Sequence, residues 1–368
     1  MHMSLFAGCC LAATVALGAG CGESSKSTPN ATGTATASAT ASPDALPKLD
    51  RSKHLTVFAK LPEKFESQDN PITPEKVELG RMLYFEKRLS KGHGLSCNSC
   101  HDLAKFGVDN QPTSEGHKKQ RGDRNSPTVY NAAGHIAQFW DGRAETVEAQ
   151  ASGPMMNPVE MAMASPEAVV KTLTSMPEYV EAFEKAFPDV EDPISLDNAA
   201  RAIGAFERKL VTPGRFDAFI GGDDEALTEE EKTGLAVFVE TGCTTCHNGP
   251  AVGGKLYQKL GLVEPWPNQD DLGRFKETKD EKDKMFFKVP SLRNIAKTGP
   301  YFHDGSVADL GKAVDMMAKH QLGKTLTPAE KKALLAFLNA LTGELPKGYI
   351  EAPELPASTE QTPEPDQS

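Results

Sequence analysis

Apolar positions in this chain recur at helical rather than strand spacing. Val77, Leu79, Met82, Leu83 and Phe85 follow Thr73-Pro74, an N-cap residue with proline at the first helical position. Ser165-Pro166 opens another helix in the same manner. Thr228 with Glu231 forms a capping box leading toward Cys243, and Thr327 with Glu330 forms a second. Beyond that box Leu334, Leu335, Phe337, Leu338 and Leu341 make a helical stripe, which Gly343 can end in the left-handed conformation. Alternating, strand-like stretches are scarce. The pattern predicts a mainly α protein.

Three stretches fall outside it. Leu5 to Gly20 is apolar and small, too short to span a bilayer but suited to the core of an export signal, so residues 1–20 are expected to be a signal peptide. Leu17-Gly18-Ala19-Gly20-Cys21 resembles a bacterial lipoprotein signal with Cys21 lipidated, although the leucine lies four residues before the cysteine and no Lys or Arg precedes it. Residues 21–46, rich in Ser, Thr, Ala, Pro and Gly, bury too little apolar surface to offset their ordering entropy and are expected to be a flexible tether. The Pro-, Glu-, Thr- and Ser-rich stretch 351–368 is expected to be a disordered tail. Folded protein should run from about Pro47 to about Ile350.

A net charge of −11 argues against nucleic acid and against charge-driven binding to an anionic membrane, and it suits a basic partner. Seven cysteines sort into Cys9, Cys10 and Cys21 in the leader and two CxxC pairs. Cys97-Asn98-Ser99-Cys100-His101 and Cys243-Thr244-Thr245-Cys246-His247 are both CxxCH. Two thiols one helical turn apart can add to the two vinyl groups of one haem, and the next residue turns its imidazole to the iron. A zinc ribbon needs its pairs ~15–20 residues apart, whereas these lie 146 positions apart; two disulfides would leave the histidines unexplained. The chain is thus expected to carry two covalent c-type haems, attached in a periplasm-like compartment. One motif per half predicts two helical domains, 47–215 and 216–350, joined near 212–224, with an interface between them.

The sixth iron ligand separates electron transfer from chemistry. The remaining histidines are His2, His54, His93, His117, His135, His303 and His320. Residue chemistry alone ranks His117, in a polar segment with Gly116 that could move, and the pair Met316/Met317, downstream of a haem motif, only modestly above the rest.

From about Leu79 to Gly343 the chain resembles the bacterial dihaem cytochrome c peroxidase family, with MauG-type enzymes as relatives. The resemblance rests on Leu79-Gly80-Arg81 through Arg88-Leu89-Ser90, Arg124-Asn125-Ser126-Pro127-Thr128, Phe139-Trp140-Asp141-Gly142-Arg143, Asn157-Pro158-Val159-Glu160-Met161, Gly299-Pro300-Tyr301-Phe302-His303-Asp304-Gly305, and Met317 with Gln321-Leu322-Gly323. It implies two cytochrome c-like domains. The N-terminal haem, on His101, would be the peroxidatic one, with His117 blocking its iron at rest. The C-terminal haem, on His247 and Met317, would be the high-potential electron acceptor, since a thioether ligand favours ferrous iron. Trp140 would lie on the path between them, Glu160 would be the acid–base residue of the peroxide pocket, and Gln150 and Pro154 would line it. Asn125, Thr298 and Pro300 would hold calcium between the domains, using oxygen ligands. His303 would have a structural or haem-adjacent hydrogen-bonding role; His54, His93, His135 and His320 would be structural.

The activity so implied is periplasmic reduction of hydrogen peroxide to water, fed by a small cytochrome c or copper protein, in an enzyme that is often a homodimer. Reduction of the second haem would release His117 through an order–disorder change of its loop. One rival is a MauG-like enzyme that oxidises tryptophans of a partner protein. There tyrosine replaces the axial methionine, and no tyrosine lies between Tyr301 and Tyr349. A second rival is a non-catalytic dihaem electron carrier or sensor, in which both irons would stay six-coordinate. Oxidation of another small organic substrate is a third.

Overall fold

The computed structural model describes residues 46–368. The expected signal peptide, most of the tether, and Cys9, Cys10 and Cys21 lie outside the described residues. The longer helices are α1 (Pro74–Phe85), α2 (Val147–Met156), α3 (Pro166–Thr174), α4 (Pro177–Ala186), α5 (Leu196–Glu207), α6 (Arg215–Ile220), α7 (Glu229–Thr241), α8 (Leu310–Leu322) and α9 (Pro328–Ala340). Two short strands, β1 (Tyr257–Lys259) and β2 (Phe286–Lys288), pair antiparallel with Tyr257 opposite Lys288. No described helix is long and apolar enough to cross a membrane.

The expected helix starts are observed. Thr73 and Ser165 cap α1 and α3, each with proline in the first turn. Thr228 with Glu231 and Thr327 with Glu330 close full capping boxes on α7 and α9. One expectation is corrected. α9 ends at Ala340 with Leu341 in right-handed conformation, so Gly343 is not a left-handed cap. A Cβ on Gly343 would stand 1.9 Å from the Thr212 carbonyl oxygen. The glycine is there because two backbone segments approach too closely for a side chain.

Four apolar clusters form among the described residues, and the two largest use the same device. In the first, α1 crosses α5 with Gly80 facing Ala202: a Cβ on Gly80 would lie 1.9 Å from the Ala202 oxygen and 3.0 Å from Phe206 Cβ. In the second, α7 crosses α9 with Gly234 facing Ala333: a Cβ there would lie 1.9 Å from the Ala333 oxygen and 2.9 Å from Phe337 Cβ. Each crossing sets one glycine against a residue i and the phenylalanine at i+4, which share a helix face. Gly234→Ala would gain about 1 kcal/mol of helix propensity. Its methyl, driven into a backbone carbonyl, would cost ~1–3 kcal/mol or more. A net loss of up to about 2 kcal/mol, read as a lower denaturation midpoint, is expected; a raised midpoint would show that the helices part freely.

The ends of the described chain cross over. Phe58 packs edge-on against Phe216 in the second core, and Leu46, Leu49 and Leu55 flank it. Conversely, Tyr349 stacks on Phe206 in the first core, with ring centroids 4.9 Å apart. Residues 351–368 carry little regular structure, yet they are tied down rather than loose. The Arg88 guanidinium donates to the Pro356 carbonyl at 2.8 Å, Thr359 Oγ1 donates to the Ser175 carbonyl at 2.8 Å, and the Asp366 amide donates to the Lys91 carbonyl at 2.8 Å. This differs from the expected disorder. Composition registers missing apolar area but not hydrogen-bond partners more than 180 positions away.

Candidate functional site

Each CxxCH motif forms a tight turn whose backbone presents the histidine. Cys97–Cys100 is one helical turn, opened by Ser96, whose amide donates to Ser99 Oγ at 3.0 Å. The His101 amide donates to the Cys97 carbonyl at 2.9 Å, and Tyr84 Oη donates to the His101 carbonyl at 2.8 Å. His101 Nδ1 lies 3.0 Å from the Pro127 carbonyl, within the Arg124–Thr128 motif. Nδ1 must therefore carry the proton, which leaves Nε2 as the metal-binding atom. In the second motif Gly242 takes φ 99° to cap α7, and the turn Cys243–Thr245 follows at once. The His247 amide donates to the Cys243 carbonyl at 3.0 Å.

The donor chemistry fits thioether-linked haem. All four cysteines are free, and burial pushes the Cys97 and Cys243 thiols up to about 12 and Cys100 to about 11. Among the described residues no three His, Cys, Asp or Glu side chains converge as a metal cluster. Burial pulls the His247 imidazole down to about 4 and lowers His101 as well, so both rings stay in the neutral, iron-binding form.

Near the first motif, where Glu160 adjoins Cys100, the backbone brings His117, Glu160 and Pro154 close together. The His117 amide donates to the Glu160 carbonyl at 2.7 Å. Gly116 lies so close to Val159 that a Cβ there would meet the Val159 oxygen at 1.9 Å. The Met161 amide donates to the Pro154 carbonyl at 3.1 Å, which places Glu160 at the end of α2. Gln150 shares the Pro154 face of that helix, four residues earlier. Glu160 Oε1 accepts from Asn157 Nδ2 at 3.0 Å. Burial raises the Glu160 carboxyl above the usual range, with Arg143 and Asn157 opposing the shift. Arg143 and Asn157 stand inside the recognised motifs, but nothing in their spacing marks them as the neighbours of Glu160. His117 itself is buried. The next two residues, Lys118 and Lys119, take φ of 55° and 60°, a conformation that costs L-residues about 1–2 kcal/mol each.

Trp140 is pinned between the halves of the chain. Its Nε1 donates to the Asn125 carbonyl at 2.9 Å, and its own carbonyl accepts the Lys288 amide at 2.8 Å. Beside it Phe287 stacks on His303 with centroids 4.4 Å apart, and the Asn125 amide donates to the His303 carbonyl at 2.7 Å. Met316 and Met317 both pack onto this cluster, while Met316 also touches the core around Tyr301 and Val307. At the expected calcium residues, Asn125 Nδ2 donates to the Gln111 and Pro112 carbonyls, which turns the amide oxygen the other way. Asn110 takes the carbonyls of Lys297 and Gly299; those of Thr298 and Pro300 alternate with them. The donors present are oxygens suited to calcium.

The family model for di-haem cytochrome c peroxidases matches residues 74–225. The cytochrome c551 peroxidase of Pseudomonas aeruginosa is 48% identical over 316 residues, covering 84% of this chain and 90% of that protein. That of Nitrosomonas europaea is 47% identical over 297 residues, covering 79% and 87%. Among solved structures, a MauG-like protein associated with microbial copper homeostasis superposes with a TM-score of 0.70 at 30% identity, over 80% of this chain and 97% of that one. The chain belongs to the di-haem cytochrome c peroxidase family.

Proposed function

We propose that this chain reduces hydrogen peroxide to two waters, using two protons and two electrons delivered singly by a small redox protein. The observation that carries the reading is the joining of His117 to Glu160 through their backbones at 2.7 Å, beside the first CxxCH motif. Cys97, Cys100 and His101 hold one c-type haem; Cys243, Cys246, His247 and Met317 hold the other. When bound, these groups supply the redox chemistry and, at the first site, the metal position at which peroxide reacts.

The protein's own part is proton handling and gating. Glu160 accepts a proton from one peroxide oxygen and returns it to the other, so that water becomes the leaving group. Its burial and its bond to Asn157 hold the carboxyl in one place. Pro154 and Gln150 form the wall on the α2 side. His117 occupies the first site until its loop rearranges, and left-handed Lys118 and Lys119 give that loop strain to release. Trp140 offers an aromatic path between the halves. Calcium at Asn125, Thr298 and Pro300 would hold the loop from Gln111 to Asn125 against the segment 298–303. A methionine at 317, with no tyrosine between Tyr301 and Tyr349, favours the peroxidase over the protein-oxidising alternative. The protein is exported to the periplasm, is lipid-anchored at Cys21 and assembles as a homodimer.

The test is peroxide turnover by the purified dihaem protein with a reduced small cytochrome, before and after one-electron reduction. His117→Gly is expected to be active without prior reduction and to show one high-spin haem at rest. If the variant still needs reducing, His117 is not the gate. If neither protein turns over and both haems stay low-spin, the chain is an electron carrier or sensor.

A further inference from the structure

Lys288 sits on β2 with only 6% of its surface exposed. Its Nζ lies 3.2 Å from His135 Nδ1, and no Asp or Glu side chain reaches it among the described residues. An ammonium can only donate, so Nδ1 must accept, and the His135 proton is forced onto Nε2. That Nε2 is buried with no hydrogen-bond partner. The pocket therefore holds two kinds of donor, the remaining Lys288 N–H groups and the His135 Nε2–H, with no acceptor for them. Lys255 adds a second positive charge nearby. A buried cation is strongly penalised unless it is paired or gives up its proton, so a buried ammonium beside an unpaired N–H donor marks a place made for an anionic acceptor. Burial lowers both groups, Lys288 to about 8, and the Lys288 and Lys255 charges push His135 the same way.

The surroundings say which anion. The Lys288 amide donates to the Trp140 carbonyl at 2.8 Å, on one side of the pair. On the other side β1 pairs with β2, and Gln258 of β1 reaches Cys246 Sγ at 3.9 Å. Two residues beyond Lys288, the Pro290 backbone adjoins the His247 imidazole. The His135 ring fits only because residue 254 is glycine: a Cβ there would stand 2.2 Å from His135 Cδ2. The pair thus lies between Trp140 and the second CxxCH motif, walled in by backbone. Inorganic anions have no reason to collect in so closed a place. A carboxylate brought in by the covalently held group does.

We propose that Lys288 and His135 form the seat of the two propionate carboxylates of the haem held by Cys243, Cys246 and His247. One carboxylate would accept from Lys288 Nζ and the other from His135 Nε2, so that the ring edge faces Trp140. The buried positive charge also favours the ferrous state of that haem. His135, which sequence reasoning assigns to structure alone, becomes a positioning residue. The inference rests on the second motif holding a haem.

The experiment is a redox titration of the intact holoprotein with each haem followed by its own spectrum, alongside resonance Raman of the propionate bending bands. Lys288→Gln should lower the ferrous-to-ferric ratio of the second haem at fixed potential by about 10- to 100-fold, a downward shift of ~60–120 mV at 59 mV per tenfold for one electron. It should also move that haem's propionate band and leave the first haem nearly unchanged. Lys288→Arg should restore both signals. His135→Gln should move the band in the same direction and is the variant to read if Lys288→Gln does not fold. A folded variant with full haem content but unmoved potential and band would overturn the seat alone. Absence of any haem at Cys243 and Cys246 in the parent protein would overturn the dihaem reading beneath it.

Discussion

Replacing Glu160 with glutamine is expected to lower peroxide turnover by ~10²–10⁴-fold, the usual contribution of a positioned acid–base group. Fold and haem content should be unaffected. The change is nearly isosteric: the amide oxygen can still accept the Asn157 Nδ2–H that now meets Oε1 at 3.0 Å. What disappears is the ability to take a proton from one peroxide oxygen and deliver it to the other. Stability separates this role from a structural one. Burial raises the Glu160 carboxyl, so its charged form is penalised in the folded chain. Such a group contributes stability at low pH that is lost as pH rises through its folded pKa. A neutral amide carries no such penalty, and at neutral pH the variant should be at least as stable as the parent. A melting temperature several degrees lower together with a modest activity loss would mean that Glu160 only holds the His117 loop in place. Wild-type turnover in a folded Glu160→Gln protein would remove it from the mechanism.

The two CxxCH motifs are legible in the sequence because their chemistry is local: thiol, thiol and imidazole lie within five consecutive residues, and the turn that joins them is equally local. Helix starts are legible for the same reason, since Thr228 and Glu231 satisfy each other's backbone donors within one turn. Contacts across the chain are not. Nothing near Gly80 or Gly234 announces that it faces the carbonyl of Ala202 or Ala333. Gly343 sits where a helix cap is expected, but its reason is Thr212, 131 positions earlier. Residues 351–368 have the composition of a loose tail, but they are bound by Arg88, Lys91 and Ser175. The roles of His117 and Glu160 rest on family resemblance, since spacing alone does not distinguish Glu160 from any other acidic residue, and nothing in the sequence announces that their backbones meet. Lys288 and His135 escaped because a buried lysine lacking its counter-ion looks, in sequence, like a surface lysine at the end of a strand.

The largest loss of stability is expected at Asp217, where removing one carboxylate strands a buried guanidinium. Arg293 is 2% exposed, and its two terminal nitrogens donate to Asp217 at 2.7 and 2.9 Å. Its Nε donates to the Pro250 carbonyl at 2.9 Å. The same carboxylate accepts the amides of Leu61 and Gly214, each at 2.9 Å. One aspartate therefore ties together the N-terminal segment, the start of α6, the loop after the second CxxCH motif and the segment before the Asn294 turn. Arginine cannot escape by losing its proton. Asp217→Ala should cost about 3–5 kcal/mol, the range for breaking a buried pair from one side. It should also lower haem retention at the second motif as the Pro250 loop loosens. Changing Asp217 to leucine and Arg293 to methionine together should recover much of that loss, because well-packed apolar groups can match a buried ion pair. Chemical denaturation of the two single variants and the double decides the matter. A single-variant loss below about 1 kcal/mol, typical of an exposed pair, would mean that water reaches Arg293. A double variant no better than the singles would place the energy in the Leu61 and Gly214 amide bonds rather than in the pairing of charges.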